Sequence, residues 1–189
     1  MEGEHQPGHP EIEGRVGNPR IYAASLTDYT NGRLHGEWIY ADQEPDDLQA
    51  EIDEMLAASI YPEAEEWAIH DYEGFGVFEL SEHESLSVVA RVAGGIATKG
   101  AIFAHWVHAV GTEAADAQSF DDAYLGTWES LADYAEHFLD DMGWKVEDIV
   151  PDWISAYIRV DYDGLGAALA TDLHVGGDGD GVHLFAVST

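Results

Sequence analysis

The chain contains no cysteine, so it has neither a disulfide frame nor a thiolate site for metal or redox chemistry. Positive charge is nearly as scarce: 7 Lys plus Arg stand against 38 Asp plus Glu in 189 residues, a formal net charge of −31. That balance argues against direct binding to nucleic acid, because neutralising phosphates needs clustered Lys and Arg. Attraction to an anionic membrane surface fails for the same reason. No apolar run approaches the roughly 20 residues of a membrane-spanning helix. Met1 to Pro19 also lack the apolar stretch of a secretory signal. The cytoplasm is therefore the expected location. What the chain does have is apolar surface: 46% hydrophobic residues, with 6 Trp, 9 Tyr and 6 Phe, are enough to build a core. A disordered acidic tail is ruled out, since such chains lack that surface.

Residues 1–18 are Gly/Pro-rich and without periodicity, and are expected to be a flexible extension. An N-terminal α+β domain is expected over 19–81. Its strands are Ile21–Leu26, Gly36–Ala41 and Glu66–His70, with Asn31-Gly32 as a hairpin-turn pair. Pro45-Asp46-Asp47 starts a helix in which Leu48, Ile52, Met55 and Leu56 share one face. Residues 82–118 read as a helical middle domain, with breaks expected at Gly94-Gly95 and Gly100. The last domain, 119–189, should be α+β. In it Trp128, Leu131, Ala135, Phe138, Leu139 and Met142 mark a helix face stopped by Gly143, Pro151 to Ile158 forms a short helix, and strands flank the loop Gly176–Gly181. The fold class is thus α+β, in three small domains.

The charge is unevenly placed. Between Arg33 and Arg91 there are 16 acidic residues and no Lys or Arg, and from Gly100 to Trp144 nine more without a cation. On the first long helix Asp47, Glu51 and Glu54 form a row, flanked by Asp46 and Asp53. A second row is Glu129, Asp133, Glu136 and Asp140, with Asp141 adjacent. Like charges one turn apart cost about 0.2–0.5 kcal/mol per pair in an isolated helix, and an ordinary solvated helix intersperses Lys. Their spacing of about 5–6 Å resembles that of phosphates along a strand. At one charge per about 1.7 Å of duplex axis, the net charge of −31 matches at most about 53 Å of B-DNA. The plain alternatives are a solvated surface that favours solubility, or adaptation to high salt.

Specific segments carry a resemblance. Pro19–Tyr22, Tyr29–Ile39 and Glu65–Phe75, in that order around the acidic helix, together resemble the ArdA antirestriction family. The likeness continues through Leu86–Trp106 and Tyr124-Leu125-Gly126 with Tyr134-Ala135-Glu136. It ends in Val150–Ile158, which looks like that family's antirestriction motif, and Val182–Phe185. Arg159, where many members have Asp, and the Gly/Ala-rich stretch that follows depart from the pattern. The resemblance implies an elongated three-domain protein of mobile genetic elements that imitates bent B-DNA and occupies the DNA-binding cleft of type I restriction-modification enzymes. It also implies a homodimer formed through the C-terminal region, for which the apolar side of the motif, Val150, Trp153, Ile154, Tyr157 and Ile158, is the candidate contact. The competing reading of those five residues is an internal core. Candidate phosphate mimics are the two rows together with Glu63, Glu65, Glu66, Asp71, Glu73, Glu79, Glu82 and Glu84.

No cofactor, metal site or catalytic residue is expected. His70, Asp71 and Glu73 offer an acid–base cluster, but alternate strand residues point apart and no metal-ligand spacing accompanies them. His105 and His108 lack a third ligand. Asp178-Gly179-Asp180-Gly181 lacks the spaced oxygen ligands of a calcium loop. The alternatives kept open are an enzyme using the His70 cluster and an acidic scaffold or chaperone for a basic nucleoid protein.

Overall fold

Two three-stranded antiparallel sheets and a set of short helices make up the structure, a computed structural model that describes residues 18–179 and 181–187. The expected N-terminal extension lies outside these residues, apart from Asn18, as does Asp180. The first sheet has the order β2-β1-β3, from β1 (Arg20–Ser25), β2 (Gly36–Tyr40) and β3 (Trp67–Glu73). Ile21 sits opposite Ile39 on one neighbour, and Ala23 opposite Ile69 on the other, all four buried. All three expected strands are present. The link between the first two, too long for a two-residue turn and of a type the sequence leaves open, contains a short helix, α1 (Leu26–Thr30). Ser25 accepts a hydrogen bond from the Asp28 backbone N–H and so caps the helix, and Asn31-Gly32 end it, Gly32 at φ 77°.

Helix α2 (Pro45–Ala57) forms as its pattern predicts. Pro45 opens it without losing a needed donor, and Leu48, Ile52, Met55 and Leu56 are buried. The middle segment holds α3 (Leu86–Lys99), α4 (Ile102–Val110) and α5 (Ala117–Ala123). The break expected at Gly94-Gly95 does not occur, because α3 runs straight through both. Gly95 is there for contact: a Cβ at that position would lie 2.0 Å from the Phe103 ring of α4. Gly100, at φ 83°, does end the helix.

The second sheet has the order β4-β6-β5: β4 (Tyr124–Trp128), β5 (Leu173–Asp178) and β6 (Gly181–Ala186). The β5–β6 hairpin matches expectation; β4, a strand of five residues interrupted by Gly126, was not anticipated. The late helix, α6 (Leu131–Asp141), is therefore shorter than its apolar pattern suggests, with Trp128 on the strand and Met142 at the C-cap. The motif segment holds only one turn of helix, α7 (Asp152–Ser155). Beyond it, the Gly/Ala-rich stretch forms α8 (Tyr162–Leu169), where Gly166 lets the helix pack on α6: a Cβ there would come 2.4 Å from the Leu131 carbonyl oxygen.

Buried side chains form one contiguous core, from Ile21 in the first sheet through α2, α3, α4 and α5 to Phe185 in the second. Phe185 is ringed by Trp106, Phe120 and Tyr124 at centroid distances of 5.3, 5.8 and 5.6 Å, which fixes the second sheet to the middle helices. Residues 142–165 differ sharply, since none of them is buried.

Candidate acidic surface and apolar face

Helix α2 builds the first acidic row by period alone. With its apolar stripe turned to the core, Asp47, Glu51 and Glu54 must face water, and these three, with Asp46 and Asp53, are exposed. Gln43 donates to Glu51 (2.9 Å) and Gln49 to Asp53 (2.8 Å), neutral partners that orient the carboxylates without cancelling their charge.

Around the first junction Glu63, Glu65, Glu66, Asp71, Glu73, Glu79 and Glu82 are exposed. Glu84 is half-buried, accepting hydrogen bonds from the Ser81 hydroxyl (3.0 Å) and the Ser85 backbone N–H (3.3 Å). Glu73 is the member of the set that meets a cation, Arg20, at 2.7 Å. The late row is less regular than its spacing suggested. Glu136, Asp140 and Asp141 project from α6, but Glu129 lies before the helix, and half-buried Asp133 turns back to accept from the Ser130 hydroxyl at 2.8 Å. Exposed Glu37 on β2, Glu113 and Asp122 extend the acidic surface beyond the residues singled out by sequence. Glu113 and Asp122 lie in the second cation-free interval, which is the signal that would have found them.

Arg20, Arg33 and Lys99 are half-buried and each is held by one carboxylate, while Arg91, Lys145 and Arg159 are exposed. Arg20 also lies over the Trp38 ring at 4.6 Å, Arg33 pairs with Asp28 at 2.8 Å, and Lys99 pairs with Asp121 at 2.6 Å. Arg91 donates to the Thr112 carbonyl, and Arg159 to those of Ala156 and Ile158. Apart from Glu73, no candidate carboxylate is neutralised by Lys or Arg among the described residues.

Asp28 shows what a structural carboxylate looks like in this chain. Its side chain is completely buried, held by Arg33 and by the Ser59 hydroxyl at 2.6 Å. Burial pushes its pKa up. Hydrogen bonds from Ser59 and Ser25 and the nearby His35 and Arg33 outweigh that and hold it below the usual carboxylate value. The exposed rows have no such arrangement of donors.

The five apolar motif residues do not make an internal core. Trp153 is 75% and Tyr157 80% exposed, Ile158 is exposed, and Val150 and Ile154 are half-buried. Beside them lies an open cavity of about 240 Å³, walled by Trp144, Val146, Ile149, Val150, Ile158 and Val160, with Arg159 at its margin. Contiguous apolar exposure on this scale marks an interaction surface.

The histidine clusters are not drawn together into sites. The His70 ring meets the edge of Tyr29 at 4.9 Å, Asp71 accepts from the Tyr72 backbone N–H, and Glu73 is held by Arg20. His105 is buried against His183, ring centroids 4.7 Å apart, while His108 is exposed. Among the described residues, no group of three or more His, Asp or Glu is placed to hold a metal ion. No helix among them is long and apolar enough to cross a membrane. A family model described as antirestriction protein (ArdA) matches residues 21–183, a range that holds α1 to α8 and both acidic rows and reaches into β6. Among curated proteins none matches the sequence.

Proposed function

The chain belongs to the ArdA antirestriction family, and from that premise we propose that it is a decoy for DNA, its exposed carboxylates standing in for phosphates in the DNA-binding cleft of a type I restriction-modification enzyme. The observation that carries this reading is the lack of internal counter-charge: apart from Glu73, no carboxylate of the α2 row, the first junction or the outer face of α6 meets a Lys or Arg among the described residues. Arg and Lys of the cleft meet these carboxylates, and the anions condensed there are released. Association is accelerated by steering and weakened by salt. Charge and spacing are offered without base edges, so enzymes of different sequence specificity are all susceptible. The protein acts as a homodimer joined through the exposed apolar face at Val150, Trp153, Ile154, Tyr157 and Ile158, which doubles the length of the charge array.

The test is competition. Titrated against duplex DNA bound to a type I methyltransferase core, the protein displaces the DNA near stoichiometry at low salt and less well at high salt. Failure to displace at any ratio defeats the reading for that enzyme. Tight binding of a basic nucleoid protein in the same experiment, without displacement from the methyltransferase, would favour a scaffold instead.

A further inference from the structure

Asp28 is the one buried carboxylate among the described residues, and its two oxygens are taken by different parts of the chain. Oδ1 accepts from the Arg33 guanidinium at 2.8 Å, just past α1, and Oδ2 accepts from the Ser59 hydroxyl at 2.6 Å, just past α2. Ser59 Oγ in turn accepts from the Tyr61 backbone N–H at 3.0 Å. A hydroxyl bonded to an ionised carboxylate makes one of the stronger hydrogen bonds open to a protein. One buried charge therefore ties α1 to the first residues of the linker that joins α2 to β3. That linker, residues 58–66, has no regular secondary structure, yet it carries exposed Glu63, Glu65 and Glu66. Its far end is fixed to the same helix, because the Glu66 carbonyl accepts from the Leu26 N–H at 3.0 Å, and between the two ends half-buried Ala64 rests on the core. Leu26, Glu65 and Glu66 also line one open recess of about 420 Å³, together with Trp67 and His83. A shift of the linker against α1 thus changes the shape of the acidic surface as well as the spacing of its charges.

We infer that Asp28 and Ser59 are positioning residues for target binding: their bond holds the linker so that Glu63, Glu65 and Glu66 stand in a fixed place relative to the α2 row before the target arrives. This role rests on the decoy reading above and adds what sets the geometry of its surface. Neither residue needs to touch the target, since Asp28 is enclosed and the Ser59 hydroxyl is turned to it. Without the bond every carboxylate of the surface remains, but the linker has to be ordered on binding, and affinity falls by that cost.

Ser59→Ala tests this, because it removes the bond and leaves Asp28 with Arg33. Hydrogen–deuterium exchange of the full chain, with no restriction enzyme present, reads the linker separately from the decoy reading. In Ser59→Ala the amides of residues 59–66 and of Leu26 should exchange faster than in the wild type while α2 and β3 keep their protection, and Ser59→Thr, which retains the hydroxyl, should restore the wild-type pattern. The second readout is competition with duplex DNA for a type I methyltransferase core. There Ser59→Ala should raise the inhibition constant about 3- to 10-fold, the scale of ordering one or two side chains on binding, with the salt dependence unchanged. The double variant Glu63→Gln, Glu65→Gln, which removes charge and leaves the bond, should instead flatten the salt dependence. Asp28→Asn, with circular dichroism to check the fold, should move both readouts in the direction of Ser59→Ala. Unaltered exchange in Ser59→Ala overturns the hold on the linker. Faster exchange with wild-type inhibition, or a loss of inhibition that comes with a flattened salt dependence, overturns the positioning role. A wild type that never displaces the DNA defeats the decoy reading and that role with it, while exchange still decides whether the bond holds the linker.

Discussion

At the scale of single residues, two carboxylates with the same chemistry are set to opposite uses by their surroundings. Asp28 is enclosed by Ser59, Ser25 and Arg33, and its pKa is lowered despite burial. Its folded value lies below the unfolded one, so its contribution to stability is full above the unfolded carboxylate pKa of about 3.9 and is lost as pH falls through the folded value. Urea denaturation of the wild type and of Asp28→Asn should therefore show a stability gap that is constant near neutral pH and narrows below about pH 4. A gap independent of pH would mean that the ionised carboxylate is not what holds α1 to the end of α2. Nothing in the sequence separates Asp28 from the other 18 Asp residues. Its role depends on Ser59, 31 positions away, and only the folded chain brings the two together. Asp133 differs: its partner Ser130 lies only three residues before it, so the Ser-x-x-Asp pattern of a helix start is the sequence signal that would have withdrawn it from the outer row.

At the scale of elements, α2 was legible because one periodicity fixes both of its faces: the residues that must be buried leave the acidic ones no other side. Its row gives a prediction for binding and one for stability. Replacing Asp46, Asp47, Glu51 and Glu54 by Asn or Gln should weaken inhibition of a type I enzyme, and flatten its salt dependence. For the helix itself the change has two effects that offset: relief of the Asp47–Glu51 and Glu51–Glu54 repulsions gains about 0.2–0.5 kcal/mol each, while loss of Asp46 and Asp47 from the first turn gives up about 0.3–1 kcal/mol each of favourable interaction with the helix dipole, so the denaturation midpoint should not rise. Unchanged inhibition with an intact fold would remove the row from the binding surface. Helix α3 was misread at Gly94-Gly95, because a glycine required by a neighbouring ring looks in sequence like one that ends a helix. Gly95→Ala should cost about 1–3 kcal/mol by overpacking against Phe103, more than the helix propensity it gains. Gly94→Ala, with nothing within 4 Å of its would-be Cβ, should gain about 0.5–1 kcal/mol. Thermal denaturation of the two single variants compares them directly. Strand β4 and helix α8 were missed for a related reason: each is short and glycine-interrupted, and each is held by a partner, β6 for one and α6 for the other, rather than by its own pattern.

For the whole molecule, the net charge of −31 is a cost to the compact state that salt relieves. Raising NaCl from 20 to 300 mM should raise the thermal midpoint of the isolated protein while weakening its hold on a cationic cleft; a midpoint that falls with salt would mean that internal ion pairs dominate instead. The sequence by itself determined that this surface is acidic and free of local cations over long intervals, because charge and helical period are local properties. It also carried the family resemblance, because that is written in segments of consecutive residues. Only the tertiary structure decided that Asp28 is withdrawn by Ser59, that Arg20 and Lys99 pair with Glu73 and Asp121, and that the apolar motif faces outward rather than into a core. Those outcomes turn on contacts between residues far apart in the chain and on the space left after packing, neither of which any local pattern specifies.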